Sequence, residues 1–282
     1  MYALQAMRGV FHTTYIGSRG GAGADCDIAI LGCPLDATSS FRGGTKFAPE
    51  SIRKASWTLE TYSPYQDKDL EDITFSDSGD LELPHGDLPA CLDLIEGAVS
   101  DVVGQGKKIL ILGGEHLITY PAVKAMRRHF STIQLVHFDA HCDLRDDYEG
   151  QKLSHATAIK RTKELGIAAI HQVGVRSGTR QEFKELRLVD SPASLAERLI
   201  PDIPIYLTFD MDVFDPSLAA GVTTPEPGGL MFREVMGYFF ALAGKEIVGA
   251  DVVELAPDYD QTFVSSICAA KVAREVLMLL HS

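Results

Sequence analysis

The sequence predicts an α/β protein of three layers, with a mostly parallel central sheet covered by helices on both faces. Three observations predict it. Apolar, β-branched runs of strand length alternate with stretches of helix length along the whole chain. Those runs read as strands buried in a parallel sheet, with polar residues gathered at their ends. No proline-rich or low-complexity linker divides the 282 residues, 45% of them apolar, so one domain spanning residues 1–282 is expected.

Taken in order, Asp27 to Leu31 reads as a strand and Pro49 to Leu59 as a helix, with proline in its first turn where a missing N–H does no harm. A strand near Ile73 to Phe75 follows. The helix from Leu88 to Val103 is stopped by Gly104 and Gly106, and the run Lys107 to Leu112 is the next strand. A helix near Tyr120 to His129 leads into the strand Thr132 to Phe138. Ser154 can cap a helix running to Leu165. Then come a strand over Ala169 to Val175, helical segments at Gln181 to Arg187 and Pro192 to Leu199, and the strand Ile203 to Phe209. A helix from Phe232 to Ala243, a strand from Ile247 to Glu254 and a helix from Thr262 to Leu280 close the chain. The glycine-rich stretch Gly17 to Gly23 precedes a strand and matches no phosphate-loop pattern, so it reads as a surface loop.

Composition excludes several classes. The 26 Lys and Arg against 39 Asp and Glu leave a net charge of −13, which argues against a nucleic-acid surface and suits a cationic small substrate. Met1 to Thr14 lacks the charged start and apolar core of a secretory signal, and no apolar run approaches the about 20 residues of a membrane span. A soluble, cytoplasmic protein without membrane partners is expected. Cys26, Cys33, Cys91, Cys142 and Cys268 show no CxxC spacing and read as reduced core or loop residues.

The chemistry lies at three strand ends. Thr132 to Phe138 runs into Asp139-Ala140-His141-Cys142-Asp143, Ile203 to Phe209 into Asp210-Met211-Asp212, and Lys107 to Leu112 into Gly113-Gly114-Glu115-His116. Ligands in open α/β sheets sit beyond the carboxyl ends of strands. With extended backbone, alternate residues point one way, which would gather Asp139, His141 and Asp143 and turn Ala140 and Cys142 aside. Four facing carboxylates repel unless a cation joins them. The candidate ligands are therefore His116, Asp139, His141, Asp143, Asp210 and Asp212. Carboxylate and imidazole without thiolate favour Mn²⁺ or a similar first-row ion. Six donors are too many for one catalytic ion, but serve two ions about 3.5 to 4 Å apart if two aspartates bridge.

With GGEH, DAHCD, TFDMDVFDP and DVVEL in this order, the chain resembles the ureohydrolase family of arginase and agmatinase, from Ser39-Ser40-Phe41-Arg42-Gly43-Gly44 to Glu254. The resemblance implies an arginase/deacetylase-like three-layer fold, two Mn²⁺ per chain and hydrolysis of a guanidinium compound to urea and an amine by a metal-bridging hydroxide. It implies one ion on His116, Asp139, Asp143 and Asp210, and the other on Asp139, His141, Asp210 and Asp212. Trimers and hexamers are common in the family, so a homo-oligomer is expected.

Two further positions follow from chemistry and resemblance together. A guanidinium needs a carboxylate to fix its planar fork, and Glu254 ends the last strand. The leaving amine needs a proton, and His155 in Leu153-Ser154-His155-Ala156-Thr157 matches the family's proton-shuttling histidine. Apart from the motif, His155 reads as an exposed first-turn residue and Glu254 as a strand-end partner of a lysine. His137 reads as a satisfied core histidine. Asp215 before Pro216 reads as turn chemistry.

The segment Arg145 to Thr157 and Gly174-Val175-Arg176-Ser177-Gly178 look like agmatinases, whereas arginases carry asparagine where Arg145 stands. Agmatine, giving putrescine and urea, is the favoured substrate. The acidic loop Asp146-Asp147-Tyr148-Glu149 could form a rim for its ammonium, or be an ordinary solvated loop. GGEHL departs from the family's GGDHS, and Glu115 is expected to support the site through a hydrogen bond. Glu226 fits either a substrate contact or a plain loop carboxylate. The alternatives are N1-aminopropylagmatine ureohydrolase, guanidinobutyrase, arginase or formiminoglutamase. Beyond these stand a one-zinc deacetylase of the same fold and a non-catalytic binding subunit.

Overall fold

The computed structural model describes residues 14–20 and 25–281. Met1 to Thr13, and with them nearly all of the amino-terminal stretch read above, lie outside the described residues, as does part of the glycine-rich segment, from Gly21 to Ala24.

The chain runs β1 (Ile28–Cys33), α1 (Ala48–Ser56), β2 (Tyr62–Ser63), β3 (Lys68–Asp69), β4 (Phe75–Asp80), α2 (Leu88–Gly104) and β5 (Lys108–Gly113). It continues with α3 (Thr119–His129), β6 (Gln134–Phe138), α4 (Ala158–Lys163), β7 (Ala169–Val173), α5 (Arg180–Glu185), β8 (Leu188–Val189) and α6 (Pro192–Arg198). The last elements are β9 (Ile205–Asp210), α7 (Phe232–Leu242), β10 (Ile247–Val253) and α8 (Val264–Leu280).

Eight strands form one sheet in the order β4-β1-β5-β10-β9-β6-β7-β8, every pair parallel. The two-residue β2 and β3 form a separate antiparallel hairpin. Alternation along the strands divides the apolar residues between the two faces. Leu110 and Leu112 of β5 join Val136, Phe138, Leu207 and Phe209 in a core covered by α1, α6, α7 and α8. Their neighbours Ile109 and Ile111 join Leu135 and Tyr206 under α2, α3 and α4. Fully burying such a side chain contributes roughly 1.5 to 3 kcal/mol. The result is the expected three layers.

The apolar run from Ile73 ends at Phe75, and the residues that follow it, Ser76-Asp77-Ser78-Gly79-Asp80, are polar. The strand instead runs to Asp80, because Asp77 is a buried partner of the Arg53 guanidinium on α1, at 2.8 Å, and accepts the Tyr15 N–H at 2.7 Å. The hairpin and β8 have only two residues per strand, too short for any periodicity to register. Ser154 stands at the expected helix start, but the first turn is a 3₁₀ turn, His155–Thr157, and the bond there runs from the Ser154 N–H to Thr157 Oγ1.

Candidate active site

The order of the central strands, β5-β10-β9-β6, makes neighbours of the four strand ends that carry the polar clusters. His116 follows β5, Glu254 follows β10, Asp210 and Asp212 end and follow β9, and Asp139, His141 and Asp143 follow β6. All seven share one end of the sheet.

His116 Nδ1 lies 3.0 Å from Asp139 Oδ2, 3.2 Å from Asp210 Oδ2 and 3.3 Å from Asp143 Oδ2. His141 Nδ1 lies 2.9 Å from Asp212 Oδ2 and 3.4 Å from Asp139 Oδ1. The six candidate ligands thus form two groups joined by Asp139. The strand-like alternation expected to gather them does not extend to all of them. Asp143 turns back through a left-handed φ of 52°, and Met211–Val213 is a 3₁₀ turn whose Asp212 N–H is held by Asp210 Oδ1 at 2.8 Å. Short aspartate side chains tolerate both conformations.

These groups bear on whether metal ions suit the site. His116 Nδ1 is buried with no hydrogen-bond partner while facing three carboxylate oxygens. Its other nitrogen is committed: Thr208 gives its proton to Asp251 at 2.6 Å, so its lone pair accepts from His116 Nε2–H at 2.9 Å, which leaves a lone pair on Nδ1. Burial, and then the neighbouring carboxylates, push the Asp210 and Asp212 carboxyls above their ordinary range. A divalent cation on these donors relieves both conditions. The residues fit a two-ion site.

Several residues around the donors carried no role in the sequence reading. His137, read as a satisfied core histidine, is satisfied by a candidate ligand. Gln172 donates to its Nδ1 at 3.0 Å, and its Nε2–H then donates to Asp139 Oδ2 at 2.8 Å. Asp251, fully buried in β10, takes three hydroxyl donors, from Thr119, Tyr206 and Thr208. A carboxylate inside Ile-Val-Gly-Ala-Asp-Val-Val was the one signal for it.

Glu254 is buried with a left-handed φ of 64°. Its Oε1 accepts the His116 N–H at 2.6 Å and its Oε2 the Thr223 hydroxyl. Burial pushes its carboxyl up to about 7, although these donors and the nearby His155 pull it down. Among the described residues no lysine pairs with it, so its partners are those of the site. His155 is half-buried, with Nε2 3.2 Å from Ser40 Oγ and its ring edge-on to Tyr148, centroids 5.7 Å apart.

A cavity of about 280 Å³ is lined by His116, His141, Asp143, His155, Asp210 and Glu254 together. Asp139 and Asp212 lie behind them, nearly sealed from solvent. No carboxylate of the acidic loop lines this cavity, and Glu149 lines the adjoining one with Ser40 and Tyr148. Asp146 turns to Lys160 at 2.8 Å and Asp147 holds its own turn at the Gly150 N–H, while Arg145 and Tyr148 reach the cavity wall. Arg145 stacks over Tyr148 at 5.1 Å and lies 3.7 Å from Glu182. Glu226 is absent from the wall, and its backbone carbonyl anchors Arg176. A larger cavity, about 910 Å³, opens at the β7–β8 edge and includes none of the candidate ligands.

The model of the arginase family matches residues 26–279. The chain is 41% identical over 266 residues to an agmatinase of Bacillus subtilis (strain 168), covering 90% of this chain and 92% of that one. Among solved structures it is similar to the agmatine ureohydrolase of Thermoplasma volcanium, with TM-score 0.87, 33% identity and 99% and 97% of the two chains covered. It is also similar to the proclavaminate amidino hydrolase of Streptomyces clavuligerus, with TM-score 0.89, 27% identity and 96% and 98% covered.

Proposed function

Because this chain belongs to the arginase family, whose members are binuclear metal-dependent amidinohydrolases, we propose that it hydrolyses agmatine to putrescine and urea with two Mn²⁺ per chain. The observation that carries the reading is the meeting of two histidine–carboxylate groups, Glu254 and His155 on one cavity. The similarity to agmatinases supports the substrate.

In this reading His116, Asp139, Asp143 and Asp210 hold one ion, and Asp139, His141, Asp210 and Asp212 the other. Bound there, the ions supply Lewis acidity and make water nucleophilic near neutral pH. Glu254, its carboxylate aimed by the His116 N–H and Thr223, fixes the guanidinium fork. His155 delivers the proton that the departing amine nitrogen gains as its bond to the central carbon breaks. The buried floor keeps bulk water from the carboxylates and strengthens both interactions. A homo-oligomer, trimer or hexamer, goes with the family reading.

The test is urea release by the Mn²⁺-loaded full chain from agmatine, N1-aminopropylagmatine, 4-guanidinobutyrate and arginine. Agmatine is expected to give the highest kcat/KM, with putrescine formed mole for mole with urea. A higher value for another guanidine reassigns the substrate, and absence of urea from all four overturns the activity.

A further inference from the structure

We propose that Glu115 is a positioning residue for His155, acting through the hydroxyl of Thr38 to set which ring nitrogen of the histidine exchanges protons with the cavity. The inference rests on the reading of His155 as proton donor.

Glu115 stands directly before His116 at the end of β5 and is fully buried. No hydrogen bond joins its carboxylate to a candidate ligand's side chain. It reaches instead into the loop of residues 35–45. Oε2 accepts the Ala37 N–H at 2.6 Å and the Thr38 N–H at 2.7 Å, and Oε1 accepts the Thr38 hydroxyl at 2.6 Å. The base of that loop is clasped independently, by Thr45 Oγ1 on the Leu35 carbonyl at 3.0 Å and by Asp36 on the Gly44 N–H at 2.7 Å. The same loop carries Ser40 to His155.

A hydroxyl has one proton. With that of Thr38 given to Glu115 Oε1, Thr38 Oγ1 offers only lone pairs to His155. The His155 N–H donates to it at 2.9 Å, and Nδ1 lies 3.4 Å away. Beside an oxygen that can only accept, Nδ1 carries the hydrogen. Ser154 Oγ, 3.2 Å from Nδ1, has a rotatable hydroxyl and accommodates that arrangement. Nε2, facing Ser40 and the cavity, is then the nitrogen that takes up and releases the transferred proton. The extra methylene of Glu115 relative to aspartate supplies the reach to Thr38.

Glu115→Gln keeps the shape but places an amide donor where a carboxylate oxygen was, freeing the Thr38 hydroxyl to donate to Nδ1 and reversing the preference. Orienting groups of this kind are worth about 10- to 100-fold. The expected result is a fall of that size in kcat for agmatine, with KM and Mn²⁺ content nearly unchanged. Thr38→Val should match it, Thr38→Ser should retain activity, and the Glu115→Gln/Thr38→Val double variant should be no worse than either single one. If Glu115→Gln does not fold, the Thr38 pair gives the same reading. In histidine-¹⁵N-labelled full chain freed of paramagnetic metal, the neutral ring of His155 should be Nδ1–H in the parent and shift toward Nε2–H in Glu115→Gln or Thr38→Val. An unchanged tautomer with unchanged kcat, or additive losses in the double variant, overturns the proposal. His155→Ala run in parallel separates the two ideas: full turnover in that variant removes the proton-donor reading, while the ¹⁵N spectra still decide what Glu115 does.

Discussion

Asp251 is a carboxylate fully buried in a central strand, tolerated because Thr119, Tyr206 and Thr208 all give it hydroxyl protons. Its effect is felt at His116 through Thr208. Thr208→Val leaves His116 Nε2 without an acceptor and frees the ring to turn, so Mn²⁺ affinity is predicted to fall about 10- to 100-fold. Calorimetric titration of the chelated protein reads this directly, and an affinity equal to the parent's would remove Thr208 from the account. At His155 the opposite split is predicted. Replacement by alanine should lower turnover about 10²- to 10⁴-fold while Mn²⁺ content, measured by mass spectrometry of the acid-released metal, stays the same. The candidate ligands and His155 could be proposed from the sequence because metal and acid–base chemistry restrict residue type. His137, Gln172 and Thr208 were not, since any polar residue that reaches the right atom can hold a ligand in place.

At the scale of elements, the backbone past the strands differs most from the sequence reading. Most strands end where apolar runs end, β4 with its polar end excepted, but the turns that gather the candidate ligands depend on local φ values and hydrogen bonds, such as the left-handed Asp143 and Glu254. Gly114 shows how tightly one such turn is built. A Cβ there would stand 2.3 Å from the Leu35 carbonyl oxygen and 2.6 Å from that of Cys33, both backbone atoms that cannot move aside. Gly114→Ala is predicted to destabilise by about 1 to 3 kcal/mol, seen as a lower urea midpoint at unchanged slope. A wild-type midpoint would show the turn to be looser than described.

The entry to α8 offers a second test at this scale. Asp260 accepts the Ser265 N–H at 2.7 Å and the Ser265 hydroxyl at 2.6 Å, together with the N–H and hydroxyl of Thr262. Burial alone would raise its carboxyl, but these donors outweigh it and hold the group at about 2. Because the folded value lies below the unfolded one, near 3.9, the cap stabilises above about pH 4 and is lost as pH falls toward about 2. Asp260→Ala is predicted to destabilise by about 0.5 to 2 kcal/mol at pH 6, and the gap to the parent should close on acidification. A gap undiminished between pH 6 and pH 2.5 would assign the loss to packing instead.

On the scale of the whole molecule, the three layers were readable from alternation of strand and helix, but strand order was not. The placement of β10 between β5 and β9 is what brings Glu254 beside His116, and it depends on long-range pairing that no local pattern records. Crowding so many carboxylates at one end of a sheet, in a chain of net charge −13, also has a stability consequence. Mn²⁺ that binds only the folded chain should stabilise it by about 2.7 kcal/mol at a free concentration 100 times its Kd. Chelation should therefore lower Tm and re-addition restore it, with Mg²⁺ expected to do less at imidazole donors. An equal Tm with and without Mn²⁺ would contradict a metal at this cluster.

The most direct test of the central claim is to titrate chelated full chain with Mn²⁺ while following urea release from agmatine and metal bound per chain. Urea formation is expected to climb until two equivalents are bound, and Asp139→Ala, which removes the carboxylate that joins the two groups, to abolish it. Full activity at a single bound ion, or two bound ions without any urea, would contradict it.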